Sequence, residues 1–181
     1  MINNNDLEKI LFTEEEINKR VTQLAEEIDT MYKGEPIFLV CILKGSAPFT
    51  VDLMRKMKSE VYLDFMAASS YGSGTTSMGK LTMTKDLTVD IKGKNVIIVE
   101  DIIDSGFTLL KIKELLEGRG AKSVRIATLL SKPSRRTVDV TVDFLGFEIP
   151  DEFVIGYGLD YDEKYRNLPF VGVLARHVYE K

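Results

Sequence analysis

The stretch NVIIV at residues 95–99, continued by EDIIDSG at 100–106, FTLLKIKELLE at 107–117 and VRIATLL at 124–130, decides the fold. Asn95 to Val99 and Val124 to Leu130 read as strands, the first a continuous apolar run of the kind found where both faces are covered. Between them Phe107 to Glu117 reads as a helix, stopped by Gly118 and Gly120. Strand, helix, strand within about 35 residues is a crossover unit, so the two strands should be parallel neighbours.

The flanking segments extend this pattern. Ile37 to Leu43 (IFLVCIL) is a second apolar run without alternation, a central parallel strand. Lys44-Gly45-Ser46 breaks it, and Pro48 stands where a helix would start, with Leu53, Met54 and Met57 on its inner face. Residues 60–67 (EVYLDFMA) alternate as a strand, residues 69–80 (SSYGSGTTSMGK) form a small, polar, Gly-rich mobile loop, and Leu81 to Thr84 alternate again. Near the start, Thr13 and Glu16 form a capping box before Ile17, Val21, Leu24, Ala25, Ile28 and Met31 at helical spacing. Glu14, Glu15 and Glu16 are a solvated first turn that suits the helix dipole. Further strands are expected at Val142–Phe147, Phe153–Leu159 and Gly172–Leu174. The expectation is an α/β fold: one domain over residues 1–181, with a single open, mostly parallel sheet flanked by helices.

Composition excludes several classes. With 24 Lys+Arg against 28 Asp+Glu the net charge is −4, so no basic excess draws the chain to nucleic acid or anionic lipid. One cysteine (Cys41, a core thiol) and one histidine (His177, a surface or packing residue) leave no disulfide framework and no Cys/His zinc cluster. His177 lies near the C-terminus and no G-x-S-x-G elbow occurs, which disfavours a Ser-His-Asp triad. MINNNDLEKILF has no apolar core of a signal peptide, and no run is long enough to span a bilayer, so a cytoplasmic protein is expected.

In an open parallel sheet, ligands sit beyond the carboxyl ends of the strands. Four polar turns are placed there: Lys44-Gly45, Glu100 to Thr108, Ser131 to Arg136, and Leu159 to Arg166. In the second, Glu100 and Asp101 end an apolar strand, Asp104 follows, and Ser105-Gly106-Phe107-Thr108 enters a helix. Unpaired amides, the positive dipole end and two hydroxyls make an anion site suited to a phosphate monoester. The adjacent carboxylates match vicinal sugar hydroxyls or a hydrated Mg²⁺. The plainer alternative is that Asp104 is an N-cap and the acidic pair is solvated. Lys132, Arg135 and Arg136 form a basic turn beside this site. Gly74 to Lys80 has P-loop spacing, but Leu81 has no hydroxyl for Mg²⁺ and no helix follows. The absence of G-x-G-x-x-G at a strand–helix turn disfavours a dinucleotide site.

Val96 to Leu109 (VIIVEDIIDSGFTL) resembles the phosphoribosyl-pyrophosphate motif of the type I phosphoribosyltransferases. Leu43-Lys44-Gly45, Ser69 to Gly72, Leu130 to Pro133, Phe147 to Val154 and Gly156 to Tyr161 narrow the resemblance to the hypoxanthine (hypoxanthine-guanine) phosphoribosyltransferases. That resemblance implies the type I fold, with a small hood from the terminal segments and a flexible lid over about 69–80 that includes Ser70 and Tyr71. It implies transfer of phosphoribose from phosphoribosyl pyrophosphate to a 6-oxopurine, with Mg²⁺, in purine salvage. Residues 104–108 (Asp104, Ser105, Gly106, Phe107, Thr108) would hold the 5′-phosphate, and Glu100 and Asp101 the ribose hydroxyls. Asp104 would be the acid/base residue. Lys44, Gly45 and Arg166 would meet the pyrophosphate, and the peptide between Lys44 and Gly45 can be cis. Lys132 would donate to the 6-oxo oxygen, Phe153 would stack on the base, and the Val154 backbone would read its edge. Asp160, assigned to the purine side as well, would join Glu100 and Asp101 as a metal ligand. Phe107 stands where relatives often carry a basic residue. A homodimer or homotetramer is expected. The alternative is a phosphoribosyl-pyrophosphate sensor on the same fold that binds nucleic acid.

Overall fold

The structure is a computed structural model that describes residues 5–71 and 80–180, less the side chains of residues 69–71, 80 and 81. The main sheet is built from β2 (Ile37–Ile42), β3 (Val61–Tyr71), β4 (Lys80–Lys85), β5 (Asn95–Ile103), β6 (Ser123–Ser131) and β7 (Phe144–Glu148), in the order β4-β3-β2-β5-β6-β7. Every pairing is parallel except β3 with β4. The crossover read from residues 95–130 is present, with Asn95 opposite Ser123 and Ile98 opposite Ile126.

Helices cover both faces, which is why the central strands are apolar without alternation. On one face α1 (Glu14–Tyr32) and α2 (Ala47–Lys56) bring Ile17, Leu24, Ile28, Phe49 and Leu53 against Leu39, Ile97 and Leu129. On the other, α3 (Phe107–Gly118) packs Leu109, Ile112 and Leu116 on Val40, Ile98 and Ile126. Every residue of β2 is buried. The capping box at Thr13 and Glu16 is formed, and Pro48 lies in the first turn of α2. Cys41 is buried in β2 with its Sγ 3.2 Å from Ser46 Oγ, a core thiol as expected.

Three expectations need correction. A strand β1 (Leu7–Phe12) precedes α1 and was not anticipated. It joins β8 (Val154–Ile155) and β9 (Val171–Leu174) in a separate antiparallel sheet of order β1-β9-β8, so of the late strands β7 extends the main sheet as expected and β8 and β9 do not. Positive φ at Gly156 and Gly158 turns the chain after two strand residues, which ends β8 early and prevents a long sixth parallel strand. Finally, residues 69–71 are strand rather than loop, paired with β4 through Ser69–Thr82, Ser70–Leu81 and Tyr71–Lys80. Small polar residues are tolerated there because β4 is the sheet's edge. The rest of the expected lid, residues 72–79, lies outside the described residues. Gly118 also ends α3 from within, while Gly120, at φ 79°, supplies the left-handed turn.

The β3–β4 side of the sheet carries an acid-sensitive element. Asp64 in β3 accepts from Thr88 N (2.6 Å), Thr88 Oγ1 (2.8 Å) and Phe65 N (2.7 Å), with Lys85 Nζ at 3.4 Å. Burial alone would raise its pKa, but these donors outweigh it and hold the carboxyl at about 2. A carboxyl with a lower pKa folded than unfolded contributes stability above its unfolded value, and that contribution fades as pH falls toward the folded one. Denaturant titrations from about pH 5 to about pH 2 should therefore show a loss of about 2 kcal/mol that Asp64→Asn does not share.

Candidate active site

The strand order places the site. β2 sends its chain through α2 to β3 on one side, and β5 sends its chain through α3 to β6 on the other. These crossovers pack on opposite faces, so the turns after β2 and β5 diverge and open a crevice between them. The crevice, about 360 Å³, is walled by Lys44-Gly45, by the turn from Glu100 to Thr108, and by Asp160 and Arg166. A larger groove of about 920 Å³ shares Arg166 with it. The helix start in that groove is already closed by Thr13 and Glu16.

The start of α3 has no such closure. Its N-cap is Gly106 at φ 83°, with no side-chain cap. Asp104, exposed, does not serve as one, so the plainer reading of that residue fails. Phe107 N makes only a long bond to Ser105 Oγ, 3.4 Å. The first turn therefore keeps amides and a positive dipole end directed at the crevice, the arrangement that suits an anion. Phe107 carries no charge, and Lys111, one turn further on, holds its ammonium 6.0 Å from the Phe107 ring centroid and 2.8 Å from Glu114, so the anion site rests on amides and hydroxyls.

Three turns lock together at the floor. A Cβ on Gly45 would collide with the carboxylate of Asp101, and one on Gly158, at φ 102°, would collide with the Gly45 carbonyl. The cis peptide lies between Leu43 and Lys44, one bond earlier than the resemblance implied.

Glu100 and Asp101 are half-buried at this floor. Burial first, then the charge of Asp101, pushes Glu100 well above the ordinary carboxylate range. Burial also raises Asp101, against hydrogen bonds from Glu100 and from the Ile102 amide, which donates to Asp101 Oδ1 at 2.7 Å. Two carboxyl groups raised in this way fit a hard divalent cation, which neutralises them, or hydroxyls, which donate to them. The expected trio of metal ligands does not form one centre. Among the described residues no three Asp, Glu, His or Cys side chains are gathered to hold an ion. Asp160 is already engaged, with Oδ1 2.8 Å from Arg166 Nη2 and Oδ2 accepting from Glu163 N at 2.9 Å.

The remaining cations surround the crevice. Arg166 also donates to Gly158 O at 2.8 Å, while its Nε is buried without a partner. Lys44 reaches Glu163 at 3.0 Å on the exposed side. Lys132 follows β6, and its amide donates to Ile103 O at 3.0 Å, which ties this turn to the one after β5. Its ammonium is nearly buried, 3.9 Å from Asp104 and 3.5 Å from Asp151. Asp151 also meets Arg135 at 3.5 Å, a partner that sequence reasoning missed although it lies in the quoted 147–154 segment. Arg136 turns inward and donates to Ser131 Oγ at 2.9 Å.

Phe153 and Val154 stand at the edge of the smaller sheet. Leu174 N donates to Phe153 O at 2.8 Å, so strand alternation turns the amide and carbonyl of Val154 away from β9. β8 is an edge strand, which leaves those groups open to another partner. Of the expected lid residues, Ser70 and Tyr71 are described as β3 backbone only.

Residues 9–162 match the phosphoribosyl transferase domain family. The chain is 49% identical over 175 residues to the hypoxanthine-guanine phosphoribosyltransferase of Bacillus subtilis, covering 97% of each. It belongs to the hypoxanthine-guanine phosphoribosyltransferase family. A relative of the same name from Streptococcus thermophilus is 46% identical, covering 97% of this chain and 98% of its own. The crystal structure of a hypoxanthine phosphoribosyltransferase from Staphylococcus aureus superposes with a TM-score of 0.94 at 47% identity, covering 98% and 96% of the two chains. The fold is therefore that of the family, and the names are those of transferases. The nucleic-acid-binding alternative finds no support in them. Arg166 and β9 lie beyond the matched domain but within the span shared with these relatives. Among the described residues no helix is long and apolar enough to cross a membrane.

Proposed function

We propose that this protein transfers the phosphoribosyl group of phosphoribosyl pyrophosphate to a ring nitrogen of hypoxanthine, and of guanine, forming the purine nucleoside monophosphate in purine salvage. The observation that carries the proposal is the uncapped start of α3 opening into the same crevice as the Glu100–Asp101 pair. The amides from Ser105 to Thr108 take the 5′-phosphate, and Glu100 and Asp101 take the ribose hydroxyls. Phe153 stacks on the base, Val154 reads its edge, and Lys132 donates to the 6-oxo oxygen.

In the reaction the bond from sugar carbon to pyrophosphate oxygen breaks and the bond from carbon to base nitrogen forms. Asp104 takes the proton released from the imidazole ring of the purine, and pyrophosphate leaves with its electron pair toward Lys44, Gly45 and Arg166. Charge builds on the sugar and on the leaving oxygens, so oriented dipoles and cations contribute more than a strong nucleophile. Glu100 and Asp101 would hold Mg²⁺, which when bound supplies positive charge to the leaving group, and Asp160 would reach it only by exchanging its contact with Arg166. The reading includes residues 1–181 as one domain, the β1-β9-β8 sheet as its hood and the segment around Ser70 and Tyr71 as its lid. It also includes a cytoplasmic location and assembly as a dimer or tetramer.

Steady-state assays with phosphoribosyl pyrophosphate, Mg²⁺ and four purines (hypoxanthine, guanine, xanthine, adenine) test the proposal by following monophosphate formation. Turnover of adenine in preference to the oxopurines would overturn it. Lys132→Ala should raise the KM for hypoxanthine by about 10- to 100-fold, the value of a hydrogen bond to a charged donor, and leave the KM for phosphoribosyl pyrophosphate within about twofold.

A further inference from the structure

The ring proposed to carry the base is built into an aromatic cluster that reaches to the end of the chain. Phe153 is 37% exposed, a high value for a phenylalanine next to buried Val154. Tyr179, in the C-terminal helical turn α4 (Arg176–Tyr179), stacks on it with ring centroids 5.0 Å apart and an interplanar angle of 27°. Tyr161, next to Asp160, meets it edge-on at 5.6 Å and 87°. The same Tyr161 donates its hydroxyl to Val178 O at 3.2 Å, so one side chain steadies both Phe153 and the turn that carries Tyr179. That turn is tethered at its start, where Ala175 N donates to Asp6 O at 2.9 Å.

We infer that Tyr179 is a positioning residue: its ring backs Phe153, fixes the plane of that ring, and thereby prepares the surface on which the purine stacks. An exposed phenylalanine with no neighbour would sample several rotamers, and binding a flat base would have to freeze them. Two aromatic contacts at favourable geometries remove that freedom before the base arrives. The remaining exposure of Phe153 is the area left for the ligand. The effect falls on base affinity, because Tyr179 is not among the described residues that line the crevice with the phosphate turn and Arg166. The inference rests on Phe153 being the base platform.

Tyr179→Ala is expected to raise the KM for hypoxanthine about three- to tenfold, with kcat and the KM for phosphoribosyl pyrophosphate within about twofold. Tyr179→Phe, which keeps the ring, should restore the KM. Tyr161→Phe keeps its own ring and releases only Val178, so it should give a smaller rise in the same constant, and it serves if Tyr179→Ala does not fold. An unchanged KM for hypoxanthine in Tyr179→Ala overturns the inference. A lowered one also overturns it, because the ring would then occupy the base's place. Phe153→Ala separates the two layers. If it leaves the hypoxanthine KM unchanged, the platform reading itself fails. If it raises that KM while Tyr179→Ala does not, only the role of Tyr179 fails.

Discussion

Asp104→Asn should lower turnover by about 10²–10⁴-fold while leaving the KM for phosphoribosyl pyrophosphate within a few-fold. The substitution preserves shape and removes the ability to take a proton. Asp104 does not cap α3, so the helix start and its free amides should survive the change. Its ion-pair neighbour Lys132 is 3.9 Å away and retains Asp151 at 3.5 Å, so that ammonium keeps a partner in the variant. Loss confined to kcat, in single-turnover as well as steady-state assays, is the expected signature. Unchanged turnover would remove Asp104 from the acid/base role and leave the phosphate site standing.

Gly45→Ala should cost about 10²-fold in kcat/KM, although the new side chain is one methyl group. The methyl would lie on the carboxylate of Asp101, and the space behind is closed by Gly158. Asp101 must therefore swing out of the crevice, or the Leu43–Ser46 turn must lift. Either movement displaces the proposed ribose contacts and the proposed leaving-group contacts relative to each other, and misplacements of about 1 Å carry penalties of this size. Kinetic constants and a melting curve for the variant check it. A folded protein with near-normal kcat/KM would show that the turn yields without cost to the site.

The parts of the molecule visible in the sequence are those whose signal is local. β2 and β5 are continuous apolar runs because both faces are covered, and α1 carries its own capping box and periodic stripe. The acidic turn before α3 was legible for the same reason: one strand end, one helix start and the residues between them are contiguous. β1 was not. Only its pairing with β9 makes LEKILF a strand, and three of its six residues are exposed, so no buried face stands out. β8 and β9 were found as strands but assigned to the wrong sheet, because strand length and apolarity say nothing about which edge they join. Ion-pair partners brought together by the fold, such as Asp160 with Arg166 and Lys132 with Asp151, were beyond a linear reading. The same holds for Tyr179, one aromatic residue in a short polar tail.

The pairing of Leu7 with Leu174, and of Val154 with Val173, has a consequence for biosynthesis. A nascent chain can complete the phosphate turn as soon as β5, α3 and β6 have emerged. The strand that closes the smaller sheet, β9, leaves the ribosome after all three of these elements. During translation the chain therefore forms the proposed phosphate turn before the proposed base platform is closed, and a ribosome stalled short of β9 would display a half-built site.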